Sequence, residues 1–225
     1  MKPLSSILNA LPPTKVIDAS INLSEYISLN LSVSNQELVD KKLDTSEDFE
    51  KYISSYLKEN NAKVAFGGYI EGRFLYQRSP IFLDASKPER NIHIGLDLWA
   101  EAGTPVLAAL DGKVHSFKNN VGLGDYGPTI ILEHEVEKEK FYTLYGHLSL
   151  ESIENLKIGD YFKKGEKIAS LGNASVNGDY APHVHFQIIH NIGDYHGDYP
   201  GVCNTGDLNF YIENCPDPNL LLKIT

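Results

Sequence analysis

No stretch of this 225-residue sequence approaches the roughly 20 consecutive apolar residues of a membrane-spanning helix. The N-terminus, Met1 to Ala10, has one basic residue and no sustained apolar run, so it does not read as a secretory signal. A cytoplasmic protein is the default expectation, with a periplasmic or extracellular place left open. Cations are scarce: Lys and Arg number 20 against 30 Asp and Glu, a formal net charge of −10. A nucleic-acid partner needs clustered Lys and Arg to neutralise phosphates, and that deficit argues against one. Cysteine occurs only twice, as Cys203 and Cys215, outside any C-x-x-C spacing. Two thiols make no disulfide framework, so both are read as structural, free or paired. There is no G-x-S-x-G nucleophile turn, no repeat of 20–50 residues and no low-complexity tract. Apolar residues make up 42%, ordinary for a globular protein and enough for a core.

Histidine divides the chain. All eight histidines fall after residue 90. Residues 1–75 therefore read as an accessory α+β segment packing against the main domain. In it, Ile27, Leu29, Leu31 and Val33 alternate with polar residues as in a half-buried strand. Thr45 and Ser46 before Glu47 and Asp48 signal a helix start, and Phe49, Ile53, Tyr56 and Leu57 follow at helical spacing. Asn60 and Asn61 stop that helix. Residues 76–225 form the second unit, with a C-terminal extension from about residue 195. Short strands with Gly-rich turns predict a mainly β, antiparallel core here. Candidate strands are Val106–Leu110 and Lys113–Phe117 as a hairpin across Asp111-Gly112, then Thr129–Leu132, Phe141–Leu148 and Val184–Ile189. Tyr161–Ala169 reads as strand, turn, strand.

Three patches can carry chemistry. In Pro182-His183-Val184-His185-Phe186, side chains two apart on a strand share a face, with Cα atoms roughly 7 Å apart. His183 and His185 thus project together from a rigid support. In His93-Ile94-Gly95-Leu96-Asp97, a straight strand would separate the ends by roughly 13 Å, too far for one ion. The chain must bend there, and Gly95 is the residue that permits it. His147 is placed in a strand, on the same face as Tyr145. Taken singly, each patch is explained as well by surface or core residues. His115, His134, His190 and His196 have no partner spacing, although His134 follows a buried strand and is a candidate for supporting the site from behind. Together, two neutral imidazoles and a carboxylate make a three-donor zinc site with a fourth position for water. Zinc brings the pKa of such water toward about 7, and two more histidines can move protons.

In this order, and with Ala102-Gly103-Thr104-Pro105-Val106, Asp111-Gly112-Lys113-Val114, Tyr145-Gly146-His147-Leu148 and Gly165-Glu166-Lys167-Ile168-Ala169 between them, the patches resemble the lysostaphin-like zinc metallopeptidases, a family of peptidoglycan endopeptidases. The resemblance covers about residues 90–190. It implies a sandwich-like antiparallel β-sheet fold with a groove across it. It further implies zinc as cofactor on His93, Asp97 and His185, catalysis by His147 and His183, and hydrolysis of a peptide bond in peptidoglycan peptides or muropeptides. Arg73, Arg78 and Arg90 are candidates to pair with substrate carboxylates. Two rivals share the architecture: a phosphocarrier-like β domain, which has no use for Asp97, and a non-catalytic regulator, which would have lost the ligands.

Overall fold

The computed structural model describes residues 2–39, 41, 43–74, 76 and 88–225. Arg78 lies outside the described residues. The strands are β1 (Tyr26–Ser28), β2 (Val64–Gly67), β3 (Glu71–Gly72), β4 (Ile92–His93), β5 (Leu96–Trp99), β6 (Pro105–Leu107), β7 (Gly112–Asn120), β8 (Gly127–Val136), β9 (Glu139–Gly146), β10 (Tyr161–Phe162), β11 (Lys167–Ser170), β12 (His183–Ile189) and β13 (Val202–Cys203). The helices are α1 (Leu4–Ala10), α2 (Gln36–Val39), α3 (Ser46–Glu59), α4 (Glu151–Glu154), α5 (Leu208–Asn214) and α6 (Asn219–Leu222).

The fold is mainly β. Its main sheet runs β1-β2-β5-β12-β9-β8-β7-β10, antiparallel except for the parallel pair β1–β2. A two-stranded sheet, β11-β6, and a three-stranded sheet, β13-β4-β3, complete it. The long β8–β9 hairpin closes through Glu137 and Lys138, both at positive φ. A two-residue turn of that kind matches the twist of the strands it joins.

β12 explains why a strand carrying three polar residues is buried along its whole length. Val184, Phe186 and Ile188 face the main core beside Leu96, Leu98, Ile130 and Tyr145. Burying each stabilises the fold by about 1.5–3 kcal/mol. His183, His185 and Gln187 have the opposite parity. On the face beyond the main core, Ile131, Leu144 and Ile189 pack against Tyr199 and Cys215, which follow β12 in the chain.

Residues before 76 supply two strands of the main sheet, and α1 lies against α6 near the other terminus. α3 matches its sequence signals. The Thr45 side chain accepts from the Asp48 N–H, Asp48 returns the bond to the Thr45 N–H, and Asn60 forms the C-cap. Its apolar face, with Ile53, packs on Leu29, Leu31, Ala65 and Trp99.

The expected hairpin across Asp111-Gly112 does not form. β6 pairs with β11, whereas β7 pairs with β8 and β10. The chain crosses between sheets here, with Ala108 and Ala109 fully buried. Gly112 serves close approach rather than a turn, since a Cβ there would stand 2.6 Å from His134 Nδ1. The 161–169 segment also divides, β10 joining the main sheet and β11 the small one.

Candidate metal centre

Register brings the candidate residues together. Across the main sheet His185 lies opposite Asp97 on β5 and opposite Gly146 on β9, while His183 lies opposite Trp99. β4 ends at His93 and β5 begins at Leu96, so the chain does bend between His93 and Asp97. The part played by Gly95 differs from the expectation. It does not sit at positive φ; instead a Cβ there would lie 2.4 Å from His185 Cε1. Its missing side chain is the space the imidazole occupies.

His147 needs a correction. It lies just beyond the end of β9, in left-handed backbone at φ 61°, not within the strand. A non-glycine residue there costs of order 1–2 kcal/mol. Backbone bonds hold it: its N–H donates to Tyr126 O at 2.8 Å, and the Gly172 N–H donates to its carbonyl at 3.0 Å. The Tyr145 side chain goes to the core, where its hydroxyl accepts from the Ala109 N–H.

Three donor atoms converge. His93 Nε2 lies 2.8 Å from His185 Nδ1, and each lies 3.2 Å from Asp97 Oδ1. Among the described residues, His93, Asp97 and His185 form the group of side chains able to hold a metal, and all three are buried. Donors about 2.0–2.1 Å from a tetrahedral zinc stand about 3.3 Å from one another, so this triangle fits the ion. His183 Nε2 is 3.9 Å from the same carboxylate oxygen, and the His147 and His183 rings lie 4.2 Å apart.

The hydrogen bonds decide which nitrogens are available. A carbonyl oxygen only accepts, so a ring nitrogen facing one must carry the proton. His93 Nδ1–H donates to Gly68 O at 2.7 Å, His147 Nδ1–H to Asn177 O at 2.8 Å, and His183 Nδ1–H to Ala181 O at 2.8 Å. In each neutral ring Nε2 is therefore a lone pair. Burial, then the Arg73 charge, pushes His93 down to about 4. Burial and then the neighbouring His183 hold His147 well below the ordinary histidine range, and burial also lowers His183. Burial opposes ionisation of Asp97, but His93 and Arg73 outweigh it and hold its carboxyl well below the usual range. Neutral imidazoles and an ionised carboxylate are the donor set zinc takes.

Arg73 is paired inside the site. It is 2% exposed, with Nη1 donating to Asp97 Oδ2 at 2.6 Å and Nε to Glu71 Oε2 at 2.5 Å. Its charge is spent on holding Asp97 so that Oδ1 faces the histidines. Arg90 donates from Nε to Val202 O and lines the cleft. His134 is remote from the site, bonded to Asp111 O and Thr143 Oγ1. His115 stacks on His196, and His190 meets Glu139. Sequence reasoning passed over Tyr126, Tyr180 and Trp99, whose rings pack on His185, His147 and His183 respectively. Aromatics with tertiary partners carry no local signal of this.

The donors line a cleft of about 320 Å³ together with Phe49 and Ile53 of α3 and with Tyr195 and Asp198. The family profile of peptidase family M23 matches residues 91–196, which contain all five candidate residues. Residues 91–196 thus form a lysostaphin-like M23 peptidase domain. It is 36% identical over 95 residues to an uncharacterized metalloprotease of Haemophilus influenzae, covering 42% of this chain and 18% of that protein. With lysostaphin of Staphylococcus staphylolyticus the identity is 35% over 98 residues, 43% of this chain and 18% of that one. An uncharacterized lipoprotein of Escherichia coli, YgeR, is 35% identical over 94 residues, 42% of this chain and 33% of that one. The matched stretch thus spans only a fifth to a third of these relatives. Nothing in them favours a phosphocarrier. The expectation of a cytoplasmic location gains no support from a relative named as a lipoprotein. No described helix of the M23-domain chain is long and apolar enough to cross a membrane.

Proposed function

We propose that the M23 domain is a zinc-dependent endopeptidase that cuts a peptide bond in peptidoglycan peptides, with soluble muropeptides preferred over intact sacculi. The observation that carries this reading is the convergence of His93 Nε2, Asp97 Oδ1 and His185 Nδ1 beside two further neutral imidazoles. His93, Asp97 and His185 would hold the zinc, as the resemblance implies. Bound zinc supplies Lewis acidity, polarising a carbonyl and bringing the pKa of water toward about 7. The remaining steps belong to the protein. The Nε2 lone pairs of His147 and His183 can take a proton from the attacking water and hand one to the departing amine. Their Nδ1–H bonds to Asn177 and Ala181 fix both rings in the orientation that this needs.

The cleft supports this substrate class. It is lined by a strand and by aromatic and apolar side chains, which suits an extended small-residue peptide. Lysostaphin and a glycyl-glycine endopeptidase of Staphylococcus capitis are among the relatives, which favours wall peptides. The net charge of −10 weighs against adhesion to an anionic wall. Residues 1–75 act in this reading as an accessory segment that lines the cleft through α3.

The test incubates zinc-loaded protein with muropeptides, sacculi and an oligoglycine peptide, with His147→Ala as control. Cleavage of muropeptides by wild type alone is expected. Cleavage of sacculi without soluble fragments would reject the substrate preference. Zinc binding with no cleavage of any of the three would leave a non-catalytic regulator.

A further inference from the structure

His185 differs from the other three cleft histidines in one respect. Theirs is a direct bond from Nδ1 to a backbone carbonyl, whereas no backbone carbonyl fixes the proton of His185. Its Nε2 faces Gln187 Oε1 at 2.8 Å, two residues on along the same face of β12. Which end of the Gln187 amide points there is decided further out. Gln187 Nε2 donates to Pro200 O at 3.1 Å and to Cys215 Sγ at 3.2 Å. A carbonyl can only accept, so the amide NH₂ must face Pro200 and the amide oxygen must face His185. That oxygen can only accept in turn, so His185 carries its proton on Nε2 and presents a lone pair at Nδ1, toward Asp97 and His93.

Pro200 and Cys215 belong to the C-terminal extension, beyond the matched residues 91–196. The extension grips the site in other ways as well. β13 pairs with β4, placing Val202 opposite His93, and the Ile94 N–H donates to Gly201 O. A Cβ on Gly201 would stand 3.1 Å from His185 Cε1, so the tail lies directly on the ligand ring.

We propose that Gln187 is a positioning residue that sets the tautomer of His185, and that the C-terminal extension sets Gln187. The relay runs from Pro200 and Cys215 through the Gln187 amide to the metal-facing nitrogen. It rests on the zinc reading above, which names His185 as a ligand. A competing partner sharpens the role. Tyr126 Oη lies 3.4 Å from His185 Nε2, and a hydroxyl can donate. Without the Gln187 oxygen, Tyr126 can donate to an unprotonated Nε2, and the ring proton moves to Nδ1, where it blocks the metal.

Two measurements test this on the full chain. Chelator competition gives zinc affinity for wild type, Gln187→Met and Gln187→Glu. Loss of a partner behind a ligand typically costs about 10–100-fold in metal affinity, and that is expected for the near-isosteric methionine. Gln187→Glu keeps an acceptor for Nε2–H and should bind closer to wild type. ¹⁵N NMR of the zinc-free protein reads the tautomer with no metal involved. The proton of His185 should sit on Nε2 in wild type and shift toward Nδ1 in Gln187→Met. Equal zinc affinity of wild type and Gln187→Met, or an Nδ1–H tautomer in wild type, would overturn the relay. A wild type that binds no zinc but keeps His185 protonated on Nε2 would instead sink the zinc reading and leave the relay standing.

Discussion

Four histidines of the cleft and His134 are all buried, at 5% exposure or less. His134 and His93 are both pushed down to about 4 by burial. By burial and charge state they would be taken for the same kind of residue. What separates them is the second ring nitrogen. His134 spends both, one on Asp111 O and one on Thr143 Oγ1. His93, His147 and His183 spend Nδ1 on a carbonyl and keep Nε2 for something that is not a hydrogen-bond donor of the protein. A depressed pKa therefore marks a buried histidine, and only the unspent nitrogen marks one available for chemistry.

The largest expected effect breaks the comparison at the ligands. His185→Ala should lose its zinc and all measurable turnover, because two donors remain of three. His134→Gln should keep the metal, since glutamine can still donate to Asp111 O and accept from Thr143. Elemental analysis of the purified variants checks this. Equal zinc content in His185→Ala and wild type would defeat the ligand assignment.

The next effect sharpens the comparison inside the cleft. His147→Ala and His183→Ala should each retain most of the zinc and lose turnover by about 10²–10⁴-fold, the usual contribution of a positioned proton donor or acceptor. Steady-state rates measured beside zinc content separate the two roles. A variant that comes off the column empty of metal identifies its histidine as a ligand, and the division within the His-x-His pair would then have to be redrawn.

Much of this was legible in the sequence because it is local or periodic. The parity of β12 put His183 and His185 on one face, the distance argument required a bend between His93 and Asp97, and the capping signals bounded α3 at Thr45 and Asn60. What escaped is carried by groups that sequence does not label. Gly68, Asn177 and Ala181 act through backbone carbonyls, which every residue has. Arg73 sits 24 residues before Asp97 and Cys215 sits 28 after Gln187, so neither shows a spacing to find. His147 adopts a left-handed backbone that glycine or asparagine usually takes, and nothing in Tyr145-Gly146-His147 announces it. Asp111-Gly112 misled for a related reason. The dipeptide favours a turn, but Gly112 is there to make room for the His134 ring.

The smallest effect concerns stability, and it uses His134 as the histidine with no chemistry to do. Its folded-state pKa of about 4 lies below the ordinary value of 6.5, with burial the main cause, opposed by the Asp111 carbonyl and the Asp111 and Glu133 charges. The unfolded chain therefore takes up a proton near pH 6.5 that the folded chain refuses until about pH 4. Above pH 6.5 His134 contributes no pH dependence. As pH falls from 6.5 to 4 the unfolded state gains the proton first and stability is lost; below about 4 both states are protonated and the loss stops growing. The full loss is on the order of 3 kcal/mol. His93, His147 and His183 add losses of the same sign in zinc-free protein, so wild type alone cannot isolate His134. The difference between wild type and His134→Gln does, because the cleft histidines cancel. Urea unfolding in the presence of chelator, repeated from pH 7.5 to pH 4, should show wild type losing ground to His134→Gln as the pH drops through that window. Parallel stability curves would mean that His134 is protonated as readily in the fold as out of it, and the contrast between the spent and unspent nitrogens would lose its control.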